Sequence, residues 1–253
     1  MPMLGVTAQD GQAGLFGSAD PLLPRLAAAL AADPGPVTVM VHGYKYRPGH
    51  PEHCPFEKIL SPAPVRRGPR VVSWPRRLGL RGRPGAGIGL GFGWDARGGL
   101  RAAHERAAES GDTLARLLAE LREIAPDRPV RLLAHSMGAR VALRALGQSA
   151  PGTVSHAILM AAAEFDATAR AALTTPGGAD CRVLNVTSRE NDLFDFLSER
   201  LLPPPARGAR MLGAGPLELP NLAHLQIDDP RALAALRQAG FAVAGPERRV
   251  CHW

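Results

Sequence analysis

Leu132-Leu133-Ala134-His135-Ser136-Met137-Gly138-Ala139-Arg140 is the stretch on which the fold turns. An apolar run ends at a serine among small residues, and a helical pattern from Met137 to Leu146 begins at once. A strand that bends this sharply into a helix lifts the serine hydroxyl out of the sheet. The first N–H groups of the helix then face any negative charge that develops beside it. Ala134 stands where the G-x-S-x-G pattern has its first glycine, and Gly138 supplies the second. Alanine is small enough to keep the turn. A serine that merely caps a helix gives the same short match, so the reading depends on the strand before and the helix after.

Outward from this segment, short apolar runs alternate with helical spacing. Val37 to Val41, Val71 to Ser73, Val130 to Ala134, Ala157 to Met160 and Val183 to Val186 read as strands. Leu114 to Ile124, Ala167 to Leu173 and Leu193 to Arg200 read as helices. A short apolar segment at Leu222 to Ile227 precedes a further helix after Asp229-Pro230. The alternation predicts an α/β fold with a mostly parallel central sheet and helices on both faces. Neither a repeat nor a linker interrupts it, so residues 1–253 are expected to form a single domain. The run Gly85 to Gly93 fails G-x-G-x-x-G in every register, and no Gly-Lys pair marks a phosphate loop. It is expected to be a flexible loop beside the cleft, with no cofactor.

Composition sets the outer limits. The chain has 253 residues, 45% of them hydrophobic, without a long apolar stretch or a secretory leader in Met1 to Thr7. A cytoplasmic protein with no membrane span is expected. Cys54, Cys181 and Cys251 are too few for a disulfide scaffold. The net charge of +7 owes almost everything to arginine, since Lys45 and Lys58 are the only lysines. Arg66, Arg67, Arg70, Arg76, Arg77, Arg81 and Arg83 gather where no acid stands. Without interleaved aromatics this basic stretch reads as a solvated loop, and no nucleic-acid partner is expected. Pro51 and Pro55 break up His50, His53 and Cys54, so no metal site is expected there.

Acyl transfer needs two N–H donors aimed at the oxyanion, one from the residue after the nucleophile and one from the loop after an earlier strand. Met137 and Tyr44, the latter in His42-Gly43-Tyr44, occupy those places. Together with Ser73-Trp74-Pro75, these segments resemble the α/β-hydrolase superfamily, in particular bacterial esterase-like members, from Val37 to the C-terminus. The resemblance implies an α/β-hydrolase fold, a triad in the order nucleophile, acid, histidine, and no metal or organic cofactor.

With Ser136 as nucleophile, the polar loop after Val183 to Val186 offers Asp192 as the acid, with Glu190 and Asp195 as competitors. Downstream histidines are His224 and His252. The family order favours His252, although the fold usually continues into a closing helix where this chain has Trp253; that ring is expected to anchor the tail. The implied activity is a carboxylesterase-like serine hydrolase acting on a small-molecule ester through an acyl-enzyme. The rival reading is a non-catalytic protein of the same fold whose arginine-rich loop binds an anionic partner.

Overall fold

The apolar runs within Val37–Val41, Val130–His135, His156–Met160 and Arg182–Thr187 become parallel strands, as the alternating pattern predicts. The computed structural model describes residues 3–65, 72–80, 82–215 and 217–243. It opens with β1 (Met3–Gln9), β2 (Gln12–Leu15), α1 (Leu22–Ala32), β3 (Val37–Val41), a short α2 (Trp74–Arg77) and β4 (Ile88–Gly93). There follow α3 (Leu100–Ile124), β5 (Val130–His135), α4 (Gly138–Leu146), β6 (His156–Met160), α5 (Asp166–Leu173), α6 (Pro176–Asp180) and β7 (Arg182–Thr187). The described chain ends with α7 (Asp192–Leu201), β8 (Leu222–Gln226) and α8 (Pro230–Gln238). Among the described residues, no helix is long and apolar enough to cross a membrane.

The strands form one sheet in the order β2-β1-β4-β3-β5-β6-β7-β8. Among the described strand pairs of this sheet, only β1–β2 is antiparallel. From β3 the chain crosses to β4 on one side and then to β5 on the other, so the loops leaving β3 and β5 diverge. An open parallel sheet forms its crevice at such a switch point, at the carboxyl ends of the strands. The loop after β3 and the turn after β5 both lie there. Helix α3 presents Ala103, Ala107, Leu114, Leu117, Leu118 and Leu121 to the core, and α4 buries seven of its nine residues. These two helices therefore fix the middle of the sheet.

Two expectations are corrected. Gly85 to Gly93 is not a surface loop, because Ile88–Gly93 is the buried strand β4. Ile88, Leu90 and Phe92 join the main core. Gly89, Gly91 and Gly93 face the other way, against side chains seated directly on the backbone. A Cβ on Gly89 would lie 2.2 Å from Met3 Sδ, and one on Gly93 2.8 Å from the Phe56 ring. Of the strand expected at Val71 to Ser73, Val71 lies outside the described residues and neither Val72 nor Ser73 is in a strand; Ser73 instead caps α2 by accepting the Arg76 N–H at 3.3 Å. The sheet also extends beyond the Val37 start of the resemblance, through β1 and β2.

Candidate active site

Ser136 follows the last residue of β5 at φ +53°, a left-handed backbone that costs an ordinary side chain on the order of 1–3 kcal/mol. Its surroundings hold it there. Ser136 N–H donates to the Met160 carbonyl at 2.8 Å, and its own carbonyl accepts from Ala139 at 2.9 Å and Ala163 at 3.1 Å. The turn can be this tight because its neighbours are small: a Cβ on Gly138 would meet the His42 and Val41 carbonyl oxygens at 2.5 and 2.6 Å. A Cβ on Gly43 would stand 2.8 Å from the Ser136 Cβ. The two segments singled out in the sequence therefore touch, and Ser136 itself is half-buried at their junction.

His42 sets the direction of the Tyr44 amide. Its ring is fully buried, stacked on Trp94 with centroids 5.8 Å apart. The Trp94 N–H donates to Nε2 at 3.1 Å, so Nδ1 carries the proton and donates to the Gly43 carbonyl at 3.0 Å. In a trans peptide the N–H points opposite to the C=O. With the Gly43 carbonyl turned to His42, the Tyr44 N–H faces away from it. Burial lowers the His42 pKa to about 4, the Gly43 carbonyl and Asp95 opposing the shift, so the ring stays neutral. Among the described residues, neither the Tyr44 nor the Met137 N–H bonds to a backbone carbonyl. Beside them Trp74 meets the His135 ring edge-on, 6.3 Å between centroids, which brings the Ser-Trp-Pro segment to the same crevice.

The other candidates lie on the β7–β8 side. Asp192 is exposed in the first turn of α7, and Glu190 is exposed just before it. Asp195 is the one buried residue of α7. Burial, then Asp192 and Glu199, raise its pKa to about 7. Asp228, which sequence reasoning passed over, accepts the Arg189 N–H at 2.8 Å and the Ser188 hydroxyl at 3.2 Å, tying the loop after β7 to the end of β8. Its signal was its place directly after the last strand. His252 lies outside the described residues.

His224 is held elsewhere. Ala134, Leu159, Asn185 and His224 form one row across β5, β6, β7 and β8. Three strand spacings put His224 about 14 Å from Ala134. Its Nε2 donates to the Leu217 carbonyl at 2.9 Å, and Nδ1 faces Asn185 Nδ2 at 3.3 Å.

Behind Ser136 is a polar cluster with no local sequence signal. Arg140 Nη1 meets Glu164 Oε2 at 2.5 Å, and the Glu164 side chain is wholly buried. Burial pushes the Glu164 carboxyl up, and Arg140 and the Phe165 amide pull it back. His104 Nε2 lies 4.0 Å from Glu164 Oε1. Burial and Arg140 lower its pKa to about 4. Among the described residues, no group of three or more His, Cys, Asp or Glu is arranged to hold a metal. His50 Nδ1 accepts the Glu52 and His53 amides, and Cys54 Sγ accepts the Gly49 amide at 3.4 Å.

A family model described as "Alpha/beta hydrolase of unknown function (DUF900)" matches residues 25–176, which include β3, β4, β5 and the Ser136 turn. A solved structure described as a hydrolase from Agrobacterium vitis S4 is similar at 17% identity. That match covers 82% of this chain and 87% of the other, with a TM-score of 0.35. No curated protein matches the sequence.

Proposed function

Because the chain belongs to the alpha/beta hydrolase family of unknown function (DUF900), we propose that it is a serine hydrolase that cleaves a small-molecule carboxylic ester through an acyl-enzyme. The observation that carries this reading is Ser136 at positive φ between β5 and α4, packed against Gly43, with the Tyr44 and Met137 amides bonded to no described carbonyl. Ser136 attacks the acyl carbonyl as His252 takes its proton. The Tyr44 and Met137 N–H groups hold the oxyanion, and the protonated His252 returns its proton to the leaving alcohol. Water then repeats the sequence on the acyl-enzyme. Asp192 orients and stabilises the imidazolium. It suits that role better than Asp195, whose burial favours the neutral acid.

A fluorophosphonate probe tests the reading. It should phosphonylate Ser136 in the wild-type protein and leave Ser136→Ala unlabelled while that variant keeps its circular dichroism spectrum. A folded wild-type protein that resists the probe would instead favour the non-catalytic binding protein. Labelling that persists in Ser136→Ala would move the nucleophile elsewhere.

A further inference from the structure

A serine in a left-handed backbone keeps that geometry only if its surroundings over-determine it. The Ser136 turn is strapped to the segment after β6, through Met160, which accepts its N–H, and Ala163, which donates to its carbonyl. Ala161, within that strap, is also at positive φ, +48°. Something must therefore hold the strap itself. Arg140, four residues beyond Ser136 on α4, reaches across to Glu164 at the end of the strap, and its Nε donates to the His104 carbonyl of α3 at 2.8 Å. Glu164 Oε1 accepts the Phe165 N–H at 2.7 Å, and the Glu164 carbonyl accepts the Leu212 N–H at 2.9 Å.

The connection continues to the other flank. The Leu212 carbonyl accepts Asn185 Nδ2 of β7 at 3.1 Å. A Cβ on the next residue, Gly213, would lie 2.5 Å from Asp195 Oδ2 of α7, three residues after Asp192. Backbone bonds thus link the turn, the strap and the segment against α7, and the ion pair of Arg140 and Glu164 braces α4 against the strap beside them. A buried ion pair is weak evidence for stability, because desolvation offsets its attraction. Its geometric function needs another explanation.

We infer that Arg140 and Glu164 are a positioning pair that fixes the Ser136 turn and, through residues 210–213, its separation from Asp192. The inference rests on Ser136 as the nucleophile. Neither side chain is assigned a contact with substrate. The arrangement also has a charge sense: Glu164 sits behind the turn where an oxyanion forms, and Arg140 neutralises it. Loss of the cation removes what keeps the buried Glu164 carboxyl ionised, so it takes up a proton and α4 loses its bonds to both the strap and the His104 carbonyl, whereas loss of the carboxylate leaves Arg140 its bond to His104. The two deletions should therefore be unequal, which pure scaffolding does not require.

The test compares wild type with Glu164→Gln, Arg140→Met and Arg140→Lys, read by fluorophosphonate labelling rate and by kcat and KM for p-nitrophenyl acetate. A displacement of the reacting group by about an ångström lowers rate by about 100-fold. Glu164→Gln should therefore lower kcat by about 10-fold and Arg140→Met by about 100-fold, with KM nearly unchanged. Arg140→Lys should recover most of the Arg140→Met loss and, as the mildest change, covers the case in which the other variants fail to fold. The positioning role is overturned if wild type is labelled at Ser136 and the variants react at the wild-type rate. It is equally overturned if Arg140→Lys is no better than Arg140→Met, or if the losses follow melting temperature and vanish on cooling. If wild type is not labelled at all, the serine-hydrolase reading fails first and this inference falls with it.

Discussion

Helices α4 and α7 both start at the carboxyl edge of the sheet, yet they are built in opposite senses. In α4, Gly138, Ala139, Val141, Ala142, Leu143, Ala145 and Leu146 are buried. In α7 the only buried residue is Asp195, while Leu193 is 64% and Leu201 60% exposed. Packing therefore fixes α4 as a rigid platform. Helix α7 is tied by polar contacts instead, such as Glu199, which accepts the Met211 N–H at 2.8 Å and Arg210 Nε at 2.8 Å. The flank that carries Ser136 gains its precision from small residues and excluded space, and the flank that carries Asp192 depends on charges whose state follows pH.

Adding a methyl group to the packed flank tests this difference most severely. Gly138→Ala sets a Cβ against two backbone carbonyl oxygens that cannot rotate aside. It should destabilise by about 3 kcal/mol, the upper range for overpacking. It should also slow Ser136 labelling, because the His42–Tyr44 loop and the turn must separate. Urea unfolding and labelling of the folded fraction measure the two effects, and a variant as stable and reactive as wild type would show that this contact is not tight.

An acid titration of stability gives the next largest effect, again on the packed flank. His42 is neutral in the folded chain down to about pH 4, whereas in the unfolded chain it takes up a proton below its ordinary value of 6.5. The unfolded state binds the extra proton in that window, so the His42 contribution is complete above pH 6.5 and fades as pH falls toward 4. By pH 4.5 the loss is on the order of 2–3 kcal/mol. His104 changes in the same direction. Urea unfolding at pH 7 and pH 4.5 should show the loss, and a flat profile would contradict a buried neutral imidazole.

Asp195 shows an effect of the opposite sign. Its folded pKa of about 7 lies above its ordinary value of 3.8, so the folded state favours the proton. The penalty for holding a bare carboxylate there is complete above pH 7 and is relieved as pH drops toward 4. Asp195→Asn should therefore raise the melting temperature at pH 8 and leave it nearly unchanged at pH 4. An equal gain at both values would mean that the carboxyl is not buried against charge.

Half of the eight strands were legible in the sequence because β3, β5, β6 and β7 contain apolar runs of strand length. The Ser136 turn was legible because its steric demand restricts it to small residues. Strand β4 was hidden, since glycine on every second position erases the alternation by which strands are recognised. The β1–β2 hairpin was missed although Asp10-Gly11, both at positive φ, is a strong turn dipeptide. The ion pair Arg140–Glu164 joins residues from different elements, so no local pattern announces it. The histidine assignment rests on the resemblance alone, since His252 is outside the described residues.

The missing side chains of β4 bear on how this chain can vary. Phe56 and Leu60 crowd the backbone of Gly91, with side-chain carbons 3.2–3.3 Å from where a Cβ would stand. A saturation-mutagenesis screen should therefore reject nearly every replacement at Gly89 and Gly93 while accepting aliphatic exchanges at Ile88 and Leu90. Reading Phe56→Ala together with Gly93→Ala would show whether the ring and the glycine are one compensating unit, in which the smaller ring position makes the added methyl acceptable. Divergence along this strand would then proceed by paired exchanges, with residues of the long β3–β4 crossover changing in step with the strand they cover.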